Sequence, residues 1–223
     1  IDDLDVEQAA HAALGAGHPG VGKLALVAAG DGCLLDVRLT ATQTLATIGT
    51  PQAVEPLGVA LADQEVKVRR AAANALRNLA DQRVLPALAT ALGDTESAVY
   101  YAARDALARL GAPAVPALLQ RLSSADTRIA YTAQQALARI GDDAIDPLLS
   151  GMRAAPSDQV ARWAAVALGR IGAAAVDPAA RLLADETASI RARVAAARAL
   201  GVTGSKSATQ PLTKAVSSGP SEV

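Results

Sequence analysis

The chain repeats itself about every 31 residues, and this internal repeat constrains its fold more than any other feature. Leucine, proline and glycine each recur in a column of nearly constant spacing, which chance does not produce three times over. The leucines are Leu45, Leu76, Leu107, Leu137, Leu168 and Leu200, the prolines are Pro56, Pro86, Pro116, Pro147, Pro178 and Pro211, and the glycines are Gly49, Gly111, Gly141 and Gly172. A unit of this length is too small to bury its own apolar residues, so consecutive units must stack on one another.

Each unit has the pattern of two helices joined by a short turn. Counted from Val68, apolar residues fall at steps 0, 3, 4, 7, 8 and 11, which places them on one face of a helix. The glycine column predicts the end of this first helix, because glycine adopts the left-handed conformation at low cost. The proline column predicts the first turn of a second helix, as in residues 143–147, where the amide has no helical acceptor. We therefore expect the first helix to run from the branched residue of each unit to the residue before the glycine.

These patterns predict an all-α protein, an α-solenoid of six helical hairpins over residues 31–216. Residues 1–30 have the pattern of a degenerate capping unit, and residues 217–223 form a polar tail. We expect one continuous solenoid domain. Asp63, Asp94 and Asp185 stand between units, where a short polar side chain can cap the following helix.

The charge and composition argue against several kinds of partner. The net charge is −1, whereas a surface that binds nucleic acid or an anionic membrane needs an excess of basic residues. No apolar run is long enough for a transmembrane helix, and the single cysteine, Cys33, excludes an intrachain disulfide. We expect a cytoplasmic monomer with no nucleic-acid partner. Because the chain begins at Ile1 and not at methionine, a docking segment of a larger protein is an alternative.

The short motifs of the chain do not assemble a catalytic site. Residues 15–20 match the G-x-G-x-x-G pattern, but a helical stretch precedes them instead of the strand that a dinucleotide site requires, so we predict a turn. Residues 201–206 lack the residue order of a phosphate-binding loop and predict a lengthened turn in the last repeat. Cys33 has no histidine in the clear repeats to activate it, and we interpret it as a buried or incidental thiol. We predict no catalytic residue, no metal site and no cofactor.

All four aromatic residues stand at one stage of the first helix in three consecutive repeats. They are Tyr100, Tyr101, Tyr131 and Trp163. Tyr101 and Tyr131 occupy equivalent positions, which we expect to be partly exposed. The rings either fill space between repeats or form an aromatic anchor patch, since tyrosine and tryptophan dominate interface hot spots.

The repeat resembles the HEAT-like repeats first grouped with the phycobilin lyases. The residues that carry this resemblance are Val68-Arg69, Ala72, Ala75-Leu76, residues 84–88 and Ala53-Val54-Glu55-Pro56-Leu57. The resemblance covers residues 31–216 and implies the fold but not the function, because the family includes scaffolds, lyase subunits and hydroxylases. It also implies an arginine after the branched residue, at Arg38, Arg69 and Arg193, which we interpret as an ion-pair ladder with the aspartates between repeats.

In proteins with this repeat the second helices line the concave face, and this implication supplies the candidate interaction surface. The candidates stand beside each proline or three residues after it, at Glu55, Asp146, Ser150, Asp177, Arg181 and Lys214. Leu85 and Val115 stand before the prolines of the intervening repeats and give the face a modest apolar middle. A protein-binding groove and an ordinary solvated face both fit this composition.

Two enzymatic branches of the resemblance lack their residues here. Deoxyhypusine hydroxylases carry several His-Glu pairs that bind iron, whereas His11 and His18 are the only histidines and neither precedes a glutamate. HEAT-like DNA glycosylases use a basic concave face, which the net charge of −1 disfavours. We therefore predict a non-catalytic interaction scaffold with a protein partner. The alternative is a subunit of a phycobilin lyase-type enzyme that acts on a chromophore-bearing protein.

Overall fold

The computed structural model of the protein describes residues 35–79 and 81–217. They belong to two units, one within residues 1–110 and one within residues 111–223, and each unit is described by itself. Some sequence features lie outside the described residues, namely the capping unit 1–30, the turn at 15–20, His11, His18, Cys33 and residues 218–223 of the polar tail. The prediction of one continuous domain stays a prediction.

The first unit contains five α-helices among its described residues. They are α1 (Leu35–Ile48), α2 (Val54–Ala60), α3 (Val66–Leu79), α4 (Leu85–Ala91) and α5 (Ser97–Leu110). The longer helices α1, α3 and α5 pack side by side, and the shorter helices α2 and α4 form the other layer. A 3-10 turn opens each of the shorter helices, at Pro51–Ala53 and Gln82–Val84.

The second unit contains seven α-helices among its described residues. They are α6 (Val115–Arg121), α7 (Thr127–Ile140), α8 (Ile145–Arg153), α9 (Asp158–Ile171), α10 (Val176–Ala184), α11 (Ile190–Thr203) and α12 (Thr209–Ser217). The first helices α7, α9 and α11 pack in one layer, and the second helices α6, α8, α10 and α12 pack in the other. The described residues contain no β-strand, and the predicted all-α architecture of repeated hairpins is confirmed.

The first helices begin earlier than the sequence pattern indicates. Helix α3 starts at Val66, two residues before Val68, from which the apolar pattern was counted. In the second unit, a residue whose side chain caps the helix N-terminus precedes this additional half-turn. The hydroxyl of Ser157 accepts a hydrogen bond from the amide of Val160 at the start of α9, and Ser189 does the same at the start of α11. Such caps stabilise a helix start by about 1 kcal/mol.

The core of both units is built from leucine and alanine. Val68, Ala72 and Leu76 of α3 are fully buried, as their helical spacing predicts, and the whole leucine column is buried with them. Small residues between the helices permit a close approach. A Cβ atom built on Gly169 of α9 would lie 2.6 Å from the backbone oxygen of Ala199 in α11. These two helices therefore pack almost backbone to backbone at this point.

Glycine ends the first helices, as predicted. Gly172 follows α9 with φ 95° and ψ −139°, a conformation that is nearly restricted to glycine. Gly204 follows α11 in the left-handed conformation, with φ 61° and ψ 9°. Gly204 and Ser205 also form the turn expected within residues 201–206, of which residues 201–203 still belong to α11.

Candidate functional site

The predicted interaction surface lies on the second helices, and its members in the second unit are all exposed. Asp146 and Asp177 stand in the first turns of α8 and α10, and Ser150 and Arg181 follow one turn later. Lys214 occupies the matching later position in α12. Because α8 packs beside α10 and α10 beside α12, these side chains form two rows that run across neighbouring helices. We refer to these five residues as the second-helix face.

The acidic and the basic side chains of these helices lie near opposite helix ends. Asp146 and Asp177 lie near helix N-termini, whereas Arg153, Arg181 and Lys214 lie near C-termini. This arrangement is the one that the helix dipole favours. Within the described part of the chain, Asp146, Asp177 and Arg181 make no ion pair or side-chain hydrogen bond. Their charges are therefore available to a partner.

The proline column does not mark one structural position, and this corrects part of the predicted face. Pro116 is the second residue of α6, whereas Pro147 is the third residue of α8, and α4 has the same early proline as α6. Val115 and Leu85 consequently begin their helices, where Val115 is buried and Leu85 is half-buried. One residue turns a helix by about 100°, so these two side chains do not join the exposed rows.

Glu55, the candidate in the first unit, already forms an ion pair within that unit. Its Oε1 lies 3.7 Å from Nη1 of Arg83. Arg83 also donates to the carbonyl oxygen of Pro51 at 2.6 Å and pairs with Asp81 at 2.9 Å. These contacts connect the turn before α2 to the turn before α4. Glu55 is exposed, but its role in this unit is at least partly structural.

Two arginines of the first unit form the buried ion pairs of the expected ladder. Nε of Arg38 lies 2.8 Å from Oδ2 of Asp63, and Nε of Arg69 lies 2.7 Å from Oδ2 of Asp94. In each pair an Nη2 donates to the other carboxylate oxygen at 3.1 Å, so both pairs are bidentate. Each pair ties a first helix to the loop that leads into the next one.

The electrostatics of these pairs keep them ionised. Burial raises the pKa of Asp63. This effect is outweighed by hydrogen bonds from Arg38 and the Glu65 amide and by the positive charges of Arg38 and Arg69. The pKa of Asp63 therefore lies below its ordinary value. The hydrogen bond to Asp94 raises the pKa of Arg69. Both pairs are structural, and Asp63, Arg69 and Asp94 also line a depression of about 620 Å³ between α2 and α4.

Arg193, the third arginine of the expected ladder, forms no ion pair with Asp185. Nε of Arg193 donates to the carbonyl oxygen of Leu183 at 3.1 Å, while Asp185 pairs with Arg153 at 2.7 Å. In both pairs of the first unit the arginine binds the aspartate that lies 25 residues after it, in the loop that follows, whereas Asp185 comes before Arg193 in the sequence. Hydrogen bonds from the Thr187 hydroxyl, Arg153 and the Thr187 amide lower the pKa of Asp185 to about 2.

The aromatic candidates of the first unit form one local cluster on α5. The ring centroids of Tyr100 and Tyr101 lie 4.5 Å apart, with an angle of 59° between the planes. The guanidinium of Arg104 lies 4.7 Å from the centroid of Tyr101, which is a cation-π contact. Tyr101 is 42% exposed, as its position predicted, and Tyr100 is half-buried.

The aromatic candidates of the second unit join two helices. The rings of Tyr131 in α7 and Trp163 in α9 meet edge to face, with centroids 6.3 Å apart. Arg170 of α9 lies 6.0 Å from the Tyr131 centroid. Tyr131 is 40% exposed, whereas Trp163 is half-buried and its Nε1 has no hydrogen-bond partner in the described structure. These contacts fit a space-filling role, and the anchor patch stays a prediction.

Gln134 is a buried polar residue that the sequence pattern did not reveal. It lies in α7, one turn after Tyr131, and is fully buried. Neither its Oε1 nor its Nε2 has a hydrogen-bond partner among the described residues. The equivalent positions in α3 and α9 hold Ala73 and Ala165. The glutamine in place of these alanines is the signal in the sequence that could have revealed it.

Residues 35–79 and 81–217 contain no metal-binding cluster and no helix that could span a membrane. No three side chains of histidine, cysteine, aspartate or glutamate gather there in a cluster that would hold a metal ion. In the same ranges no helix is long and apolar enough to cross a membrane.

The repeated helical hairpins and the two layers in each unit define an α-solenoid of the helical-repeat class. The chain belongs to the HEAT repeat family, whose model matches residues 25–108, 88–153 and 145–223. No curated protein sequence matches the chain.

Several solved structures are similar to the chain in fold. Human deoxyhypusine hydroxylase is 20% identical, with 99% of this chain and 94% of that one covered and a TM-score of 0.37. The CpcE–CpcF complex of phycocyanin lyase from a Nostoc species is 20% identical, with 97% and 96% covered and a TM-score of 0.42. A designed armadillo repeat protein is 17% identical, with 82% and 99% covered and a TM-score of 0.41. Similarity at this level concerns the fold alone.

Proposed function

We propose that the chain is a non-catalytic scaffold that binds a protein partner through the second-helix face of its second unit. The observation that carries this proposal is the set of exposed, unpartnered charges at equivalent positions of neighbouring helices. Asp146 and Asp177 form an acidic row, and Arg181 stands in the row one turn later. The HEAT repeat fold supports the proposal, because stacked repeats offer extended surfaces for binding.

The two rows differ in the sign of their charge, which favours one orientation of a partner. Asp146 and Asp177 attract basic groups along one edge, and Arg181 and Lys214 attract acidic groups along the other. Charges arranged in this way contribute mainly to the association rate and to specificity. A partner bound in the reverse direction would place like charges opposite one another.

The second-helix face has no aromatic residue, so its affinity depends on many modest contacts. Tyrosine, tryptophan and arginine supply most of the strong anchors in protein interfaces, and Arg181 is the one such residue on this face. We therefore expect an affinity in the micromolar range, with a Kd of about 1 µM.

The test reverses the charges of this face. The triple variant Asp146→Lys, Asp177→Lys, Arg181→Glu and the parent protein are used to capture partners from a lysate of the native host. The matched control is Glu186→Lys, which makes the same net change of charge at an exposed loop position outside the face. We expect one protein to bind the parent and the control, and to bind the triple variant at least about tenfold more weakly when purified.

Other outcomes would contradict the proposal in distinct ways. Equal binding by the triple variant would exclude the second-helix face as the binding surface. Turnover of a substrate by the purified chain would exclude a non-catalytic role. A captured protein that carries a bilin would instead support the alternative of a lyase-type subunit.

A further inference from the structure

Helix α11 carries an exposed ridge of apolar side chains. Ile190 is 79% exposed, Val194 is 55% exposed and Val202 is 40% exposed. Arg198 stands between the last two, so the four residues follow one another at intervals of four. Residues at this spacing lie in one line along a helix. The result is an exposed strip of three apolar side chains, with Arg198 between Val194 and Val202.

The fold does not require this strip to be apolar. The same four positions in α3 are Val66, Arg70, Asn74 and Asn78, and in α7 they are Thr127, Tyr131, Gln135 and Arg139. Both helices occupy the same layer of their units with mainly polar residues along this line. Isolated apolar residues on a surface need no explanation, whereas a row of them marks an interaction site.

A depression of about 270 Å³ lies between α11 and the neighbouring helix α9. Ala161 and Ala195 line it, and both are buried. Ile190 and Val194 form part of its apolar wall. The depression can receive one or two apolar side chains of a bound segment, because the small alanines leave space there.

The charges around this depression are mainly positive. Arg191 is committed to the fold, since it pairs with Asp158 at 2.5 Å and donates to the carbonyl oxygen of Ala155 at 2.9 Å. Arg162 and Arg198 also line the depression, and neither has an ion pair or hydrogen bond within the described part of the chain. With Asp158 balancing Arg191, two unpaired arginines remain beside the apolar strip.

We propose that this surface, the α9–α11 face, binds an acidic amphipathic segment of a protein partner. Apolar side chains of the segment enter the depression beside Ile190 and Val194. Its carboxylates pair with Arg162 and Arg198, which offer the bidentate geometry that carboxylates accept. The combination of an apolar groove with unpaired arginines is complementary to such a segment in both shape and charge.

A folded or helical peptide suits this face better than nucleic acid or a membrane does. A phosphate backbone would use the arginines but would leave Ile190 and Val194 against a polar surface. A membrane surface is broad and would engage aromatic anchors, and α11 has none. The depression between the helices matches individual apolar side chains, which a peptide supplies.

This inference concerns a surface of the first helices and does not depend on the second-helix face. The test uses the purified chain and a phage-displayed library of random peptides of about 16 residues. Peptides are selected on the parent, and each enriched peptide is then measured by fluorescence anisotropy. The double variants are Arg162→Glu/Arg198→Glu and Ile190→Ser/Val194→Ser. The matched control, Arg70→Glu/Arg109→Glu, reverses two exposed arginines of first helices in the other unit.

We expect the enriched peptides to combine aspartate or glutamate with apolar residues at spacings of three or four. Both double variants should weaken their binding about tenfold or more, while the control should bind as the parent does. Thermal melting of each variant shows that the fold is retained, since the altered side chains are exposed.

Three outcomes would overturn the proposal. The first is that the enriched peptides lack acidic residues, and the second is that Arg162→Glu/Arg198→Glu binds them unchanged. The third is that a DNA duplex, or vesicles that contain phosphatidylserine, bind the parent more tightly than the peptides do and depend in the same way on both double variants. If the second-helix triple variant loses the peptides while both α9–α11 variants bind them unchanged, the peptides bind the second-helix face and the proposal is wrong.

Discussion

At the scale of single residues, the described interior of the second unit contains a costly exception to its apolar character. Gln134 is fully buried, and both polar atoms of its amide lack hydrogen-bond partners among the described residues. Burial of an unsatisfied polar group costs about 1–3 kcal/mol. The alanines at the equivalent positions Ala73 and Ala165 show that the repeat does not need an amide there. Gln134 therefore marks a site at which the chain is less stable than its fold allows.

We expect Gln134→Met to raise the free energy of unfolding by about 1–2 kcal/mol, because methionine keeps the volume and removes both unsatisfied atoms. Urea denaturation monitored by circular dichroism measures this change. The control Gln159→Met alters an exposed glutamine of α9 and should shift stability by less than about 0.5 kcal/mol. A loss of stability in Gln134→Met would mean that the amide is hydrogen-bonded in solution, contrary to our expectation.

At the scale of helices, α9 and α11 approach each other closely at Gly169. A Cβ atom at Gly169 would lie 2.5 Å from Cβ of Val202 and 2.6 Å from the backbone oxygen of Ala199. Backbone atoms cannot move aside as a flexible side chain can, so the two helices would have to separate. Gly201 holds the equivalent position in α11, but a Cβ there would meet nothing within 4 Å.

We predict opposite effects for the same substitution at these two glycines. Gly169→Ala should lower the free energy of unfolding by about 1–3 kcal/mol through overpacking. Gly201→Ala should leave it unchanged or raise it by up to about 1 kcal/mol, since alanine favours a helix over glycine. Thermal and urea unfolding of both variants distinguish the two cases. Equal effects would show that α9 and α11 do not approach as closely as described.

The elements of this fold were predictable to the extent that they depend on local sequence. The leucine column, the helix-ending glycines and the ladder at Arg38 and Arg69 follow from the repeat, because each occupies the same place in every hairpin that has it. Features that depend on a shift between repeats were not predictable. The proline of α6 moves by one position and buries Val115, and Arg193 donates to the carbonyl oxygen of Leu183 instead of to an aspartate.

The candidate site was predictable only in part, for a related reason. The resemblance supplied Asp146, Asp177 and Arg181 as candidates on the second helices, and all three are exposed in the structure. The pairing of Glu55 with Arg83 was not visible, since it joins two turns that lie 28 residues apart. The α9–α11 face was also missed, because the helical pattern of one repeat does not reveal a depression between two helices.

At the scale of the whole molecule, acidic side chains tie loops to helices and make stability depend on pH. Interactions with neighbouring arginines and amides lower the pKa of four aspartates, namely Asp63, Asp81, Asp126 and Asp185. In the unfolded chain an aspartate titrates near pH 3.9. The unfolded state therefore binds more protons than the folded state between that pH and the lower folded pKa, so stability rises with pH across this window.

We expect the free energy of unfolding to be nearly constant above about pH 5 and to fall as the pH decreases from about 4 to 2. The lower limit reflects Asp185, whose pKa is about 2 in the folded protein. Asp185→Asn should lower stability at neutral pH and make the decrease below pH 4 less steep. Urea denaturation at a series of pH values measures both slopes. Identical slopes in the parent and the variant would show that Asp185 does not contribute to the acid sensitivity.

The contact at Gly169 also limits how the hairpins of this chain can be rearranged. The corresponding residue of α7 is Ala138, so an exchange of the α9 hairpin for a copy of the α7 hairpin would place a methyl group against the backbone of α11. The reverse exchange would bring a glycine to α7 without such a collision. Although the repeats look interchangeable in sequence, the α9 hairpin is fitted to the α11 hairpin that follows it, so this exchange is tolerated in one direction only.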